Sequence, residues 1–546
     1  MEDVFAYTKF LDFWGKAAPE TPYGKDAHIK PHLFFELGQL EKIYDETEAL
    51  IFLLKEMQGD PARLSLISHH LKQLPRLPIG PHQSRQSQKE DAFDEIELFQ
   101  IKKFLHNYRT LMAQLPLNAK RAFGFEYYSQ GLEEKLNVGQ LNPESFYVAD
   151  AYSSELQKIR REILEADEAI QRLEAERAAE ILEKFGLDFF GQPFLLAPKA
   201  KLGDLAFASQ ILAIEPYDDA LLYVRPLKCA ASLAIAEKRL ELAQRERTCE
   251  MVVLESLSHD VRAEMPNLGK YIDTALGFDL AWARARMAVE LNLTRPIFHT
   301  KSSIRIDKGR FPPCESTCAE HGLKYFPLDA HFESSATVIF GSNMGGKTIV
   351  LQTAAFLQLA AQAGLFVPAG LFETRIFHSF HYIGELHGRN AHQEANQEHR
   401  GLSGFGMEMQ QLIKAWRSIA PDDKGAMLLM DEFARTTSSK ESEALLAAVL
   451  EAISKRVNTV AICSTHFHRV PRIPGVNFLR MAGFNKNNAQ TGPSPDPMSG
   501  IAECMDYRLI TDDGKQSSDA IAIAQLLGLD RELVRRAEVY FGETPS

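Results

Sequence analysis

Gly341-Ser342-Asn343-Met344-Gly345-Gly346-Lys347-Thr348 sets three glycines, a lysine and a threonine in the order G-x-x-x-x-G-K-[ST]. Glycines let the backbone wrap closely around an anion, so that successive N–H groups and a helix N-terminus face it. A lysine at the position of Lys347 reaches the β- and γ-phosphates of a nucleoside triphosphate, and a hydroxyl at Thr348 holds Mg²⁺. The flanks suit this chemistry. Ala336–Phe340 is an apolar, β-rich run, and 349–363 has the pattern of a helix. Strand, glycine loop and helix together separate a phosphate site from a solvated lysine on a glycine turn.

A second half-site lies downstream. Ala426-Met427-Leu428-Leu429-Met430 is a continuous apolar run of the kind found in buried parallel strands, and it ends in Asp431-Glu432. An aspartate there supports Mg²⁺ through its outer shell, and Glu432 polarises the attacking water. A third apolar run, Thr459–Cys463, ends in Ser464-Thr465-His466. Alone, His466 would read as a core or capping histidine; at the end of the next strand it suits sensing the γ-phosphate or orienting the water.

These segments resemble the ATPase domain of the MutS family, a branch of the ABC-type ATPases. The Asn343-Met344 filling of the glycine loop carries the resemblance most specifically. Further similarity lies in Leu365-Phe366-Val367-Pro368-Ala369, Arg375-Ile376-Phe377, Asp431-Glu432-Phe433-Ala434-Arg435, Ser464-Thr465-His466 and the upstream run Ile306–Pro312. Ser403-Gly404-Phe405-Gly406-Met407-Glu408 is similar to the family's signature stretch. The resemblance implies a dimer in which Ser403 completes the partner subunit's ATP site. It implies ATP and Mg²⁺ as ligands, with Gly341, Ser342, Asn343, Met344, Gly345, Gly346, Lys347 and Thr348 around the phosphates. Thr348 and Asp431 would serve the metal, Glu432 and His466 catalysis. For the adenine, Tyr325 is the expected stacking residue, core packing being its alternative role. Departures occur at Thr436, where the family carries glycine, and at Lys440-Glu441, where it carries aspartate-glycine. The C-terminal stretch 518–529 lacks the usual tyrosine-glycine pair, and 383–401 is long and rich in histidine.

With 546 residues, 45% of them hydrophobic, the chain is large enough for several cores. Its start is acidic, and no apolar run approaches the ~18–20 residues a membrane helix needs, so a cytoplasmic protein without a membrane partner is expected. Six scattered cysteines suit a reducing compartment rather than a disulfide framework. Cys314 and Cys318, followed by His321, lack a second cysteine pair and read as free thiols. The histidines at 378, 381, 387, 392 and 399 show no i, i+4 pair backed by a carboxylate and read as a polar loop. The net charge of −12 offers no basic surface for nucleic acid.

Upstream of residue 300 the pattern is mainly helical. Residues 1–90 read as a helical segment ending in the Pro-, Gly-, Ser- and Gln-rich stretch 76–88. Residues 91–300 resemble the MutS core and lever, and 301–546 the ATPase domain with a helical, dimer-supporting end. A charged helix over 155–184, a β-leaning block at 186–228 and a returning helix over 229–257 have the shape of the family's lever and clamp tip. The tip holds four basic residues, Lys199, Lys201, Arg225 and Lys228, against five acidic ones, Asp188, Asp204, Glu215, Asp218 and Asp219. Phosphate contact draws on an excess of Lys and Arg, which this tip lacks. Phe34-Phe35-Glu36 matches the letters of the family's mismatch-reading Phe-x-Glu. The helical pattern around it leaves no room for that domain, so a coincidental match is expected.

The fold class implied is an α/β ABC-type P-loop ATPase domain preceded by a mainly α-helical core and lever with a small β tip. Two functions follow from the resemblance. One is a dimeric ATP-gated clamp on mismatched, branched or otherwise distorted DNA, built as a homodimer or with a second MutS-like subunit. The other is a protein-remodelling ATPase with a protein client, similar to the reactivases of cobalamin-dependent lysine aminomutases.

Overall fold

Apolar runs without polar alternation are strands buried on both faces, and the three such runs of this chain lie side by side. A computed structural model describes residues 1–78, 92–142, 145–202, 207, 209–342, 345–385, 404–419, 424–435, 437–467, 469–484, 501, 504–514 and 519–542. Two compact units divide the chain: Met1–Ser65 with Leu276–Ser546, and Leu66–Ala275.

The first unit is built on a six-stranded sheet ordered Met505–Thr511, Val476–Phe484, Ala336–Phe340, Thr459–Thr465, Ala426–Asp431, Ser379–Ile383. All neighbours are parallel except the edge pair Val476–Phe484 and Met505–Thr511. Every residue of Ala336–Phe340 and Thr459–Thr465 is buried, and Ala426–Asp431 is buried up to its terminal aspartate. The Thr459 strand separates the two that carry the glycine loop and Asp431. In open parallel sheets, ligands bind beyond the carboxyl ends of the strands, where 341–348, 431–432 and 464–466 all emerge.

Helix Lys347–Gln362 is apolar nearly all round, as befits a helix covered on every side. One face lies on the sheet. Helices Glu2–Thr8 and Phe10–Trp14 pack against it. Phe356, fully buried, is met by the rings of Phe13 at 4.8 Å, Phe311 at 5.6 Å and Phe10 at 6.0 Å. The polar exceptions are satisfied. Gln358 donates to Arg375 O at 2.9 Å, while Gln362 donates to Phe377 O and accepts from Phe377 N, both at 2.9 Å. Phe34 N donates to Gln362 O at 2.7 Å and Phe35 stacks on His378 at 5.4 Å. The Phe-x-Glu letters therefore belong to the packing of the α/β unit. On the sheet's other face lie helices Gly404–Ile419 and Ser439–Ser454. A separate four-stranded sheet contains Ile304–Gly309 and Leu328–Phe332.

The second unit is mainly helical. Asp94 caps helix Glu95–Gln114 through a reciprocal box with Glu97. Helix Ser154–Phe185 starts at Ser153, whose hydroxyl accepts from Leu156 N, and stops at Gly186 in the left-handed conformation. A three-stranded antiparallel sheet follows, with Leu221–Pro226 between Leu195–Pro198 and Leu212–Pro216. The returning helix is Ala230–Glu290, far longer than the 229–257 read from the sequence, and it runs through Pro266. Its first part and Ser154–Phe185 are laced by ion pairs: Arg160 with Glu246 and Glu250, both at 2.7 Å, Arg239 with Asp167 at 2.7 Å, and Arg245 with Glu155 at 2.6 Å.

Truncating Phe356→Ala removes a ring to which three others are keyed, so a loss of about 3–5 kcal/mol is expected. Thermal melts of the whole chain check it. Phe52→Ala, at a site 59% exposed, is the control and should shift stability by about 0.5 kcal/mol or less.

Candidate nucleotide site

The glycine loop closes on itself before it reaches any partner strand. Gly345 N donates to Ser342 O at 3.0 Å. Gly346, at φ +87, caps helix Lys347–Gln362, and a Cβ there would lie 3.2 Å from Tyr507 Cδ1. Conformation and close approach both require glycine at this position. Lys347 is 3% exposed; its Nζ donates to Gly341 O at 2.8 Å and Ser342 O at 2.9 Å, 3.8 Å from Glu432 Oε1. Burial lowers its pKa, while Glu432 and then Asp431 oppose the shift. Asn343 and Met344 lie outside the described residues.

Asp431 is where three segments meet. Its Oδ1 accepts from Thr348 Oγ1 at 3.2 Å and from Ser464 Oγ at 2.5 Å. The cross-strand register pairs Asp431 with Ser464, which sets that serine beside the carboxylate. Its Oδ2 accepts from Tyr7 OH at 3.2 Å. After Asp431 the backbone turns sharply: Glu432 and Ala434 both take positive φ, +52 and +59. Such left-handed residues cost of order 1–3 kcal/mol each and persist where neighbours hold them. Here Glu432 N donates to Ser464 Oγ at 3.0 Å, and Ala434 N to Glu408 Oε2 at 2.8 Å. The turn aims the Glu432 carboxylate back toward Lys347, with Arg435 at 3.2 Å on its other oxygen.

The remaining expected residues are placed as follows. His466 follows strand Thr459–Thr465 directly and packs at a tilt on Phe467, ring centres 4.4 Å apart. Ser403 lies outside the described residues; just after it, helix Gly404–Ile419 brings Glu408 to the Ala434 turn. Tyr325 is half-buried, with its hydroxyl tied to the backbone. Its hydroxyl accepts from Phe311 N at 2.7 Å, and burial pushes its pKa well up. The next residue, Phe326, is 41% exposed, with its ring 5.6 Å from that of Tyr507, the residue against Gly346. Sequence reasoning passed over Phe326, Tyr507 and Tyr7. Glu441, one of the departures from the family pattern, accepts from Ser438 Oγ at 2.6 Å at the start of helix Ser439–Ser454.

The residues present fit a triphosphate with Mg²⁺. Ser342 Oγ is buried in the loop without a hydrogen-bond partner, and Gly346 leaves room where a side chain would intrude. Mg²⁺ takes one or two protein ligands beside phosphate oxygens and water, a role open to Thr348 with Asp431 behind it. Among the described residues there is no cluster of three or more His, Cys, Asp or Glu at metal-binding distance, and Cys314 and Cys318 are free.

The family model for MutS domain V matches residues 337–543. The chain is 30% identical to the DNA mismatch repair protein MutS of Granulibacter bethesdensis over 237 residues, 43% of this chain and 24% of that protein. It is 27% identical to Endonuclease MutS2 of Thermomicrobium roseum over 420 residues, 72% of this chain and 48% of that protein. Endonuclease MutS2 of Pelotomaculum thermopropionicum is similar at 28% identity over 412 residues, 72% and 46% of the two chains. The chain thus spans half or less of these relatives' lengths. Glycine loop, Asp431–Glu432 and Ser464–His466 all fall within the region that matches MutS domain V, and the chain is similar to MutS-family proteins over that region and beyond it.

Proposed function

We propose that this chain binds and hydrolyses ATP in an ABC-type P-loop site and works as a dimeric, ATP-gated clamp on mismatched, branched or otherwise distorted DNA. The observation that carries the ATPase reading is the meeting of Lys347, Thr348, Asp431 and Glu432 at the ends of two parallel strands. Lys347 Nζ lies 3.8 Å from Glu432, and Thr348 Oγ1 lies 3.2 Å from Asp431. Lys347 and the loop amides hold the β- and γ-phosphates. Thr348 and Asp431 would hold the Mg²⁺ that accompanies the nucleotide. Bound Mg²⁺ neutralises charge that develops on the phosphate oxygens. Glu432 polarises the water for in-line attack, His466 lines the same end of the sheet, and Ser403 of one subunit completes the site of the other. Phe326, rather than Tyr325, offers the face on which adenine stacks, with Tyr507 beside it.

The DNA part of the reading draws on the relatives, named for mismatch repair and for an endonuclease. Alignment with the MutS2 proteins covers 72% of this chain, so it extends beyond the ATPase domain. Shape rather than base sequence would be read, through backbone contacts and deformability. A second reading, a remodelling ATPase with a protein client such as a cobalamin-dependent aminomutase, is favoured by one observation. Three of the tip's four cations are engaged locally: Arg225 with Glu215 at 3.7 Å, Lys228 with Glu174 at 3.9 Å, and Lys199 with Asp219 O at 3.0 Å.

Steady-state ATPase assays with duplex, mismatched and four-way-junction DNA over a salt series separate the two. Stimulation by one DNA form, weakening steeply with salt, supports the clamp; indifference to every form moves the reading to a protein client. Lys347→Ala is expected to abolish ATP binding measured by equilibrium titration, and retained affinity would remove the phosphate assignment. Glu432→Ala is expected to bind ATP normally while turnover falls at least ~10²-fold, the general-base range. Phe326→Ala is expected to raise the Kd for ATP roughly tenfold, within the ~1–3 kcal/mol of an aromatic–base stack, while Tyr325→Phe leaves it unchanged.

A further inference from the structure

Helix Glu2–Thr8 carries a tyrosine that the ATPase chemistry above does not use, yet its hydroxyl sits on the metal-side carboxylate. Tyr7 OH lies 3.2 Å from Asp431 Oδ2 and 3.4 Å from Thr348 O. The residue is 7% exposed. Its ring stacks on Tyr382, centres 4.1 Å apart, and Gln352 Nε2 donates to its carbonyl at 2.9 Å. Ring and backbone are therefore both fixed, by a strand next to Asp431 and by the helix that begins with Lys347. Among the described residues, the other hydrogen bonds to the Asp431 carboxylate fall on Oδ1, from Thr348 and Ser464.

We propose that Tyr7 is a positioning residue for the Mg²⁺ half of the nucleotide site, orienting the Asp431 carboxylate through Oδ2. The proposal rests on the ATPase reading and adds to it the helix Glu2–Thr8. A carboxylate bonded only through Oδ1 can swing about its side-chain torsions, whereas a donor on each oxygen fixes its plane. Groups that orient a metal-supporting carboxylate in this way are worth about 10–100-fold in metal affinity when removed. The arrangement also makes the site sensitive to helix Glu2–Thr8: displacing that helix withdraws the hydroxyl.

The test is Tyr7→Phe, which keeps the stack on Tyr382 and deletes only the hydroxyl. ATP affinity is measured by calorimetry in EDTA and across a Mg²⁺ series, and Mn²⁺ binding to the ATP complex is followed by electron paramagnetic resonance. The expected result is unchanged affinity in EDTA, with the Mg²⁺ concentration for half-maximal tightening raised about tenfold and Mn²⁺ binding weakened to match. Tyr382→Phe, which loses only a bond to Glu385 O, should leave the Mg²⁺ midpoint in place. An unchanged midpoint in Tyr7→Phe, or an equal shift in Tyr382→Phe, overturns the proposal while leaving the ATPase reading intact. If the unsubstituted chain binds no ATP with or without Mg²⁺, the ATPase reading fails, and this proposal with it.

Discussion

A carboxylate at the end of a buried parallel strand has to be paid for in hydrogen bonds, and the Asp431 carboxylate recruits them from three directions. Thr348 reaches it from the helix that follows the glycine loop, Ser464 from the neighbouring strand, and Tyr7 from a helix 424 residues away in sequence. None of these hydroxyls could be placed without its own element being placed first. Ser464 is beside Asp431 because Ala426–Asp431 and Thr459–Thr465 pair in register. Thr348 is there because the Ala336 strand, one place further on, delivers the loop at the same level. Ordering this one anion thus registers the sheet, the loop helix and the first helix against each other.

From the same point the backbone makes its strained turn, and the strain has a use. With Glu432 in the left-handed region, consecutive side chains diverge: Asp431 faces the hydroxyls, and Glu432 faces Lys347 and Arg435. An extended continuation of the strand would have sent Glu432 to the other face of the sheet. The turn is what lets adjacent residues take the two separate roles proposed for them, metal support and water activation. Glu408 holds the turn from helix Gly404–Ile419 through Ala434 N, so the signature-like stretch is tied to the backbone two residues beyond Glu432.

Much of this was legible in the sequence, for a physical reason. Loop, strand-end acids and Ser464–His466 are contiguous clusters whose chemistry is local, and strands buried on both faces announce themselves as unbroken apolar runs. Long-range contacts leave no such trace. Tyr7 sits in a short helix with no catalytic spacing around it, and nothing in its neighbours points to Asp431. Phe326, the platform proposed for adenine, was passed over for a simpler cause. In extended backbone adjacent side chains face opposite ways, so Tyr325 turns inward to Phe311 N while Phe326 turns out toward Tyr507. The returning helix was read as ending at 257; the structure carries it on, through Pro266, to Glu290.

Charge in the arm bears on what the arm can hold. Arg160 contacts three carboxylates, Asp150, Glu246 and Glu250, at 2.6–2.7 Å. Single exposed pairs contribute little, but a guanidinium shared among three acids ties helix Ser154–Phe185 to its returning partner. The same pairing extends to the tip, where Arg225 and Lys228 already face glutamates. A DNA phosphate arriving there has to displace a carboxylate, not only a mobile counterion, and part of its Coulomb gain is lost in the exchange. Among the tip's described residues, Phe190 is 84% exposed and Tyr217 61%. Under the proposed clamp reading such a tip would draw on shape and apolar contact more than on charge, which would suit DNA already bent or opened better than an undistorted duplex, and would equally suit a protein client.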